Sequence, residues 1–363
     1  MKARTWLPEA VARAVAHARS RGALYAIETA ATIVRDQDIS FVVRIVASLQ
    51  HKPTSERPDG PNEMMAATTT TTTSDTSSTS GEDTTTASAL DLAEKAATSH
   101  LETRDIPDPF LPYEEDLYVG DVPPAHVCLL NKFNVVDGHL LIVTRSFQEQ
   151  TLLLTNADFA AFWHCIRQYP GLGFYNSGRI AGASQRHKHM QLIALTAEVE
   201  IPIHEHVSKA ARIREEQDGC FTVPSLPFKH AVIGTGDLRS DNESDPVIGA
   251  ILHARYMQLL QFTIERLSVS ASSWMAWESS ASHRSPSIGN EHETAHPFPY
   301  NLLLTSSWMM LVPRQQEKFL NEISVNALGF AGFLLAKNET QRDLIVQHGP
   351  LNVLMQVAIP WDP

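Results

Sequence analysis

The chain has 363 residues, of which 43% are hydrophobic and 19% are charged, an ordinary composition for a globular protein of about two domains or one large domain. The formal net charge of −12 does not suggest a nucleic-acid-binding protein, and no uninterrupted apolar run is as long as a membrane span. The three cysteines (Cys128, Cys165 and Cys220) have no paired spacing. This argues against a disulfide framework or a cysteine zinc site and fits a reducing compartment.

The N-terminal segment is basic and rich in alanine, without the compact apolar core of a secretory signal. We interpret it as an amphipathic helix over about residues 8–21 that ends near Gly22. An organelle transit peptide is the less favoured alternative, so a cytoplasmic location is expected. Apolar segments follow, through Phe41–Leu49.

The composition changes between Pro53 and Ser99, where threonine and serine dominate. Such a segment cannot bury enough apolar surface to offset the entropy that it would lose on ordering. It is therefore predicted to be a disordered insertion, assigned to 53–104, with the folded chain resuming near Pro109.

The middle of the chain alternates between strand-like and helix-like patterns. Val127–Arg145 contains two apolar runs around an Asn/Asp/Gly connection, which predicts a β-hairpin or meander. Thr155–Arg167 predicts a helix capped at Thr155 or Asn156. Gly171–Gly178 predicts a strand that runs into a turn, and Arg186–Leu195 predicts the next strand.

The last third predicts a long helix over about 248–268, a strand over Tyr300–Arg314 and helical segments at the C-terminus. Strands in runs, with helices outside them, indicate an α+β fold with an antiparallel sheet and flanking helices.

One stretch carries chemistry: Gly182–Gln191, with the sequence G-A-S-Q-R-H-K-H-M-Q. On a strand, alternate side chains share a face, so His187, His189 and Gln191 form one polar row. Two imidazoles and a carboxamide are too polar for core filling. They can converge on one ligand.

Three interpretations of this row compete. It is a half-exposed strand face in water, or a metal site with a third ligand from His204 or His206, or the setting of a nucleophilic histidine. The preceding segment, Asn176–Gln185, favours the third. Its glycines allow backbone amides to point at an anion, and Arg179, Arg186 and Lys188 add positive charge. A phosphate cradle beside an imidazole is typical of phosphoryl or nucleotidyl transfer.

The motif G-A-S-Q-x-H-K-H-x-Q resembles the active site of the ATP adenylyltransferases that act as diadenosine tetraphosphate phosphorylases, in the histidine-triad (HIT) superfamily. Other segments resemble the same family in order along the chain: D-P-F-L-P-Y-E-E-D-L, L-N-K-F-N-V-V-D-G-H-L-L-I-V-T-R, F-Y-N-S-G, L-P-F-K-H, Y-N-L-L-L-T-S-S-W-M-M-L-V-P-R, S-V-N-A-L-G-F-A-G and G-P-L-N-V-L. Arg186 departs from the family, in which many members have proline before H-K-H; the arginine is a candidate phosphate ligand.

The resemblance implies a HIT-like fold with its N- and C-terminal halves packed together, and a reversible reaction of diadenosine tetraphosphate with phosphate to give ATP and ADP. It implies that His189 is the nucleophile and forms a covalent AMP intermediate, with His187 and Gln191 beside it. It also implies a divalent cation, expected to be Mg²⁺, whose ligands nothing in the sequence marks. The expected partners are small-molecule nucleotides and phosphate, with no nucleic acid and no membrane.

The resemblance further implies nucleotide or phosphate contacts at Lys52, Asn131, Lys132, Asn176, Gly182, Ala183, Ser184, Gln185, Gln191, Leu303, Leu304, Thr305, Met310 and Arg314. His126, His139 and His164 are expected to be structural, and His204 and His206 to lie on the surface.

The predicted domains are a HIT-like nucleotidyltransferase domain (1–52 and 105–215), the insertion (53–104) and a C-terminal ATP adenylyltransferase domain (216–363). Two other functions stay open at this point: a hexose-1-phosphate uridylyltransferase, whose motif usually reads H-P-H, and a nucleotide-binding sensor without turnover.

Overall fold

The structure is a computed structural model, and it describes residues 6–26, 29–46, 108–134, 138–195, 200–213, 219–238, 243–269 and 296–362. All of these residues lie in one compact unit, Met1–His51 and Asp108–Pro363. The predicted insertion at 53–104 and the predicted phosphate contact Lys52 lie outside the described residues. In the described ranges, no helix is long and apolar enough to cross a membrane.

The strands, in chain order, are β1 (Tyr25–Ala26), β2 (Thr29–Asp36), β3 (Ile39–Val46), β4 (Tyr118–Val122), β5 (His126–Leu130), β6 (Phe133–Asn134), β7 (Leu140–Thr144), β8 (Gly171–Asn176), β9 (His189–Ala194), β10 (Cys220–Phe221), β11 (Ala231–Gly234), β12 (Tyr300–Leu304), β13 (Trp308–Pro313), β14 (Lys318–Phe319), β15 (Ile323–Ser324) and β16 (Phe333–Ala336).

Among the described strands, nine form one sheet in the order β10-β11-β13-β12-β8-β9-β7-β5-β4. Every neighbouring pair in this sheet is antiparallel. A smaller sheet has the order β16-β3-β2. The predicted α+β class with a large antiparallel sheet is confirmed.

The helices are α1 (Leu7–Arg21), α2 (Asn156–Ile166), α3 (His204–Ile213), α4 (Asp245–Glu265), α5 (Ala327–Ala331), α6 (Glu339–His348) and α7 (Pro350–Val357). Sequence rules set several of their ends. Gly22 ends α1 with a left-handed φ of 68°. At α2, Thr155 and Asp158 form the reciprocal hydrogen bonds of a capping box, which confirms the predicted cap.

The large sheet is buried on both faces, which explains why β5, β7, β12 and β13 are almost wholly apolar. One face packs on α1, α2 and α4 through a cluster that includes Met190, Leu192 and Leu252. The other face contributes Phe174, Leu303 and other residues to a second cluster with β3, α5 and α7.

A third, smaller cluster contains Phe110, Val127, Leu129, Leu141 and Val143. In the strand register Leu141 lies opposite Gln191, and Gln191 lies opposite Phe174. The polar row of β9 therefore lies on the sheet face between two apolar clusters.

The prediction of one strand over Tyr300–Arg314 is wrong. The segment forms a hairpin of β12 and β13. The hydroxyl of Thr305 accepts hydrogen bonds from the backbone N–H groups of Ser307 and Trp308, each at 3.1 Å. Together with the backbone hydrogen bond from the Thr305 N–H to the Trp308 carbonyl at 2.9 Å, these side-chain hydrogen bonds close the turn.

Candidate active site

The loop before β9 has the glycine geometry that the sequence predicts. Gly178 and Gly182 have φ values of 85° and 87°, in the region that favours glycine. Between them Arg179–Ala181 forms a single 3₁₀ turn. The Ala183 N–H donates to the Gly178 carbonyl at 3.1 Å. Within the described residues, the N–H groups of Ser184 and Gln185 donate to no protein acceptor, so they remain for an anion.

The C-terminal half of the chain braces this loop. A Cβ atom at Gly182 would lie 2.8 Å from the Val325 carbonyl oxygen and 2.9 Å from the Cβ of Asn326. The guanidinium of Arg314 donates from Nη1 to the Ala181 carbonyl at 3.3 Å. Glycine is therefore favoured at position 182 by this close packing as well as by its positive φ.

His189 begins β9, and its side chain is only 4% exposed. Its Nδ1 lies 2.8 Å from the backbone carbonyl oxygen of His187. Because a carbonyl can only accept, Nδ1 carries the hydrogen and Nε2 carries the lone pair. The ring also packs against Phe110, with centroids 5.4 Å apart. The ring is therefore fixed in orientation, and in its neutral form Nε2 is the nitrogen that can act as a nucleophile.

A buried glutamine that sequence reasoning missed fixes the backbone of His189. The Gln150 Oε1 accepts from the His189 N–H at 2.8 Å. Its Nε2 donates to the carbonyl of Asn176 at 2.8 Å and to that of His189 at 3.1 Å. One carboxamide thereby ties the strand before the loop to the strand after it. Two glutamines flank Glu149 in the sequence, and only the fold separates their roles.

The side chain of His187 is held by protein groups at both ring nitrogens. Its Nδ1 contacts the Asp108 carboxylate at 2.8 Å, and its Nε2 contacts the Thr144 carbonyl at 2.8 Å. Both ring nitrogens therefore face acceptors, and the ring is 1% exposed. The part of His187 that touches His189 is its carbonyl. His187 is thus placed as a support for the nucleophile, and the prediction that it is catalytic stays untested.

Gln191 lies on the same face of β9 as His189. Residues two apart on a strand are separated by about 7 Å, so the two side chains are neighbours. Its Oε1 lies 2.9 Å from the Nε2 of His139, whose Nδ1 lies 3.1 Å from the Nδ2 of Asn131. Burial lowers the pKa of His139 to about 4, against the opposite effect of its hydrogen bond with Gln191. Asn131 is thus connected to Gln191 through the ring of His139.

The prediction that Arg179, Arg186 and Lys188 bring positive charge to the site needs correction. Each has a carboxylate partner: Arg179 lies 3.8 Å from Glu317, Arg186 pairs with Glu149, and Lys188 lies 3.0 Å from Asp158. Lys188 is also on the opposite face of the strand, as the period of two requires. The charge of the loop region is therefore largely neutralised by protein groups.

The Lys188–Asp158 pair is buried, with both side chains at most 3% exposed. Burial alone would raise the pKa of Asp158, but the hydrogen bond from His126 and the charge of Lys188 hold it well below its usual range. Asp158 also caps α2. This network anchors the strand that carries His189 to the helix layer behind it.

Most of the predicted contacts in the C-terminal half are buried in the protein. Leu303, Leu304 and Met310 are completely buried in β12 and β13, and Thr305 forms the hairpin turn. The Arg314 N–H groups donate to Val357, Ala181, Asn301, Gln316 and Glu317. Burial lowers the pKa of Arg314 to about 9. The five N–H groups of Arg314 are thus committed to the protein, and we correct its predicted role to that of a brace for the loop.

Of the remaining predicted contacts, Asn176 is buried and Lys132 is partly exposed. Asn176 is 1% exposed, and its Oδ1 accepts from Asn301 Nδ2 at 2.8 Å and from the Ala327 N–H at 2.9 Å. Lys132 is partly exposed and pairs with Glu114. Asn176 therefore joins the two halves of the chain next to the loop, whereas Lys132 belongs to a partly exposed ion pair.

The metal interpretation has no geometric support. His204 accepts at Nδ1 from the Trp308 indole at 3.0 Å, and His206 contacts the Ser225 hydroxyl at 2.9 Å, both from α3. In the described ranges, no three histidine, cysteine, aspartate or glutamate side chains form a group that could hold a metal ion.

Known proteins match the chain along most of its length. The family model for the Ap4A phosphorylase N-terminal domain matches residues 1–71 and 85–209, and the model for the ATP adenylyltransferase C-terminal domain matches residues 224–360. Diadenosine 5',5'''-P1,P4-tetraphosphate phosphorylase 2 of Saccharomyces cerevisiae is 26% identical over 70% of this chain and 76% of its own length. Protein APA1 of the same yeast is 26% identical over 71% of this chain and 78% of its own.

A solved structure matches the fold over nearly the whole chain. The crystal structure of yeast Ap4A phosphorylase Apa2 in complex with AMP has a TM-score of 0.64 and 20% identity, and it covers 98% of this chain and 97% of its own. The complex of Apa2 with Ap4A gives the same TM-score, with 19% identity. This likeness shows a shared fold.

Proposed function

The chain belongs to the Ap4A phosphorylase and ATP adenylyltransferase family, and we propose that it converts diadenosine 5',5'''-tetraphosphate (Ap4A) and phosphate into ATP and ADP. The observation that carries the proposal is the hydrogen bond between His189 Nδ1 and the His187 carbonyl, 2.8 Å long. It orients the imidazole directly after a loop whose Ser184 and Gln185 N–H groups donate to no protein acceptor within the described residues.

In the first half-reaction, the lone pair of Nε2 of His189 attacks the α-phosphorus of Ap4A. The bond from that phosphorus to the bridging oxygen breaks, and ATP leaves with the electron pair. The hydrogen on Nδ1 stays on the ring, where the His187 carbonyl stabilises the positive charge that the ring acquires on phosphorylation.

In the second half-reaction, an oxygen of inorganic phosphate attacks the same phosphorus. The bond between phosphorus and Nε2 breaks, ADP forms, and the neutral imidazole of His189 is restored. Splitting one displacement into two lets the same phosphate-binding groups act twice.

The charge that develops on the phosphate oxygens needs donors close by. Within the described residues, the N–H groups of Ser184 and Gln185 and the NH₂ group of Gln191 donate to no protein acceptor, so they are candidate donors. A rate gain of a millionfold requires about 8 kcal/mol of barrier lowering. No single hydrogen bond supplies that, so several donors act together with the positioning of His189.

The divalent cation stays a prediction. Mg²⁺ typically keeps several waters and binds phosphates together with one or two carboxylates. A ready-made cage is therefore not needed, and we propose that Mg²⁺ arrives on the polyphosphate of the substrate, where it neutralises charge.

The dependence on phosphate tests the proposal. Purified protein is incubated with Ap4A, with and without inorganic phosphate, and the nucleotides are separated by anion exchange. We expect equal amounts of ATP and ADP with phosphate, and no catalytic turnover without it. AMP and ATP formed without phosphate would instead indicate a hydrolase, and unchanged Ap4A in both samples would indicate a binding protein.

A further inference from the structure

His139 is a histidine outside the sequence motif that makes a direct contact with the polar row. It lies just before β7 and is 6% exposed. Its Nε2 is 2.9 Å from Gln191 Oε1, and its Nδ1 is 3.1 Å from Asn131 Nδ2. The ring thus connects the ends of β5 and β7 to the side chain next to the nucleophile.

The atoms of this chain of contacts determine where each hydrogen lies. The Asn131 Oδ1 accepts from the Phe133 N–H at 3.3 Å, which fixes the orientation of the Asn131 carboxamide. Its Nδ2 can only donate, so His139 Nδ1 accepts and the hydrogen of the ring is on Nε2. His139 Nε2 then donates to Gln191 Oε1.

This donation determines which end of Gln191 a phosphate meets. With Oε1 held by His139, the NH₂ group of Gln191 is the end available to a ligand, and within the described residues it donates to no protein acceptor. A flipped carboxamide would present oxygen lone pairs to an anionic phosphate, and it would leave the His139 N–H without an acceptor.

We propose that His139 is a positioning residue for nucleotidyl transfer, which acts by holding the Gln191 carboxamide with its NH₂ group towards the transferred phosphate. This inference rests on the proposed function. The ring supports the role because burial lowers the pKa of His139 to about 4, so it stays neutral and in one tautomer near pH 7.

Two substitutions separate the hydrogen bond from the packing. His139→Leu keeps an apolar side chain beside Phe174 and removes the donor. We expect kcat for Ap4A phosphorolysis to fall about 10- to 100-fold, with KM changed less, because the donor matters most when charge develops on phosphate. His139→Gln retains an N–H donor at a similar reach, and it should restore kcat to within a few fold of the wild type.

A double-mutant cycle with Gln191→Ala identifies the route of the effect. If His139 acts through Gln191, adding His139→Leu to Gln191→Ala should change kcat by less than about twofold. A purely structural role would lower kcat equally in both backgrounds. That equal loss, or a His139→Leu single variant as active as the wild type, would overturn the inference.

His230→Gln is the matched control. His230 is also completely buried, burial also lowers its pKa to about 4, and its hydrogen-bond partners are Phe228 and Val223. It should lower the melting temperature without lowering kcat. If His139→Leu is too unstable to purify, His139→Met, which also lacks the donor, takes its place. An inactive wild type would refute the proposed function and this inference with it; an active wild type with an unaffected His139→Leu refutes the inference alone.

Discussion

Three histidines of this protein are buried and held neutral near pH 7. Burial lowers the pKa of each of His139, His230 and His296 to about 4. In the unfolded chain a histidine has a pKa of about 6.5. Between those two values the unfolded state therefore binds more protons than the folded state, so acid favours unfolding.

We predict that the free energy of unfolding falls as the pH falls from 7 to 5. Each lowering of a pKa from 6.5 to about 4 is worth about 3 kcal/mol of stability above pH 6.5, all of it lost once the pH is below about 4. Urea unfolding at pH 7 and pH 5 measures the loss.

The His230→Gln variant provides the control for that measurement. It lacks one of the titrating rings, so between pH 7 and pH 5 it should lose about 2 kcal/mol less than the wild type. The same pH dependence in the variant and the wild type would contradict the buried, neutral state of His230.

Only part of the candidate site could be predicted from the sequence, as individual residues show. The motif correctly placed His189 and Gln191 on one face of a strand, because a period of two is a local property. It did not reveal that Gln150, Asp108 and His139 support them, since those contacts join positions 39 to 79 residues apart. Nothing local distinguishes Gln150 from Gln148 in the sequence.

At the scale of elements, the loop Gly178–Gly182 combines left-handed glycine conformations with close packing. Gly182 has a left-handed φ and also lies against the backbone of Val325. Gly22 has a left-handed φ of 68°, but a Cβ atom there would meet nothing within 4 Å. Substituting Gly22 would therefore test the cost of a left-handed φ alone, whereas substituting Gly182 would add the effect of crowding.

We predict that Gly182→Ala lowers both stability and turnover, whereas Gly22→Ala lowers stability alone. A left-handed alanine costs of order 1 kcal/mol in either place. At Gly182 the added methyl group also pushes the loop away from Val325 and moves the amides of Ser184 and Gln185. Melting temperatures and kcat for both variants test this; equal kcat in Gly182→Ala and the wild type would refute it.

Elements were predictable where their signals are local and not where they depend on distant partners. The ends of α1 and α2 follow from Gly22 and from the Thr155 cap. The turn between β12 and β13 was missed because T-S-S closes the chain with side-chain hydrogen bonds rather than with glycine or proline. The brace from Arg314 was missed because arginine near a motif suggests a phosphate ligand.

At the scale of the whole molecule, one sheet joins both halves of the chain. β8 pairs with β9 on one side and with β12 on the other, although β12 is more than 120 residues away in the sequence. The Asn176–Asn301 contact lies on this seam. The predicted boundary near residue 215 stays a prediction, and strand order across it could not be derived from local patterns.

A covalent bond between His189 and AMP is the central intermediate of the proposed reaction. The direct measurement uses Ap4A labelled in the adenosine, a rapid acid-free quench and mass spectrometry of the intact chain. Without phosphate, the wild type should gain the mass of one AMP group on His189 and release one ATP, and added phosphate should convert the label to ADP. His189→Gly should bind Ap4A and gain no label. A wild type that forms ATP and ADP without ever carrying the label, or a His189→Gly variant that carries it, would contradict the account.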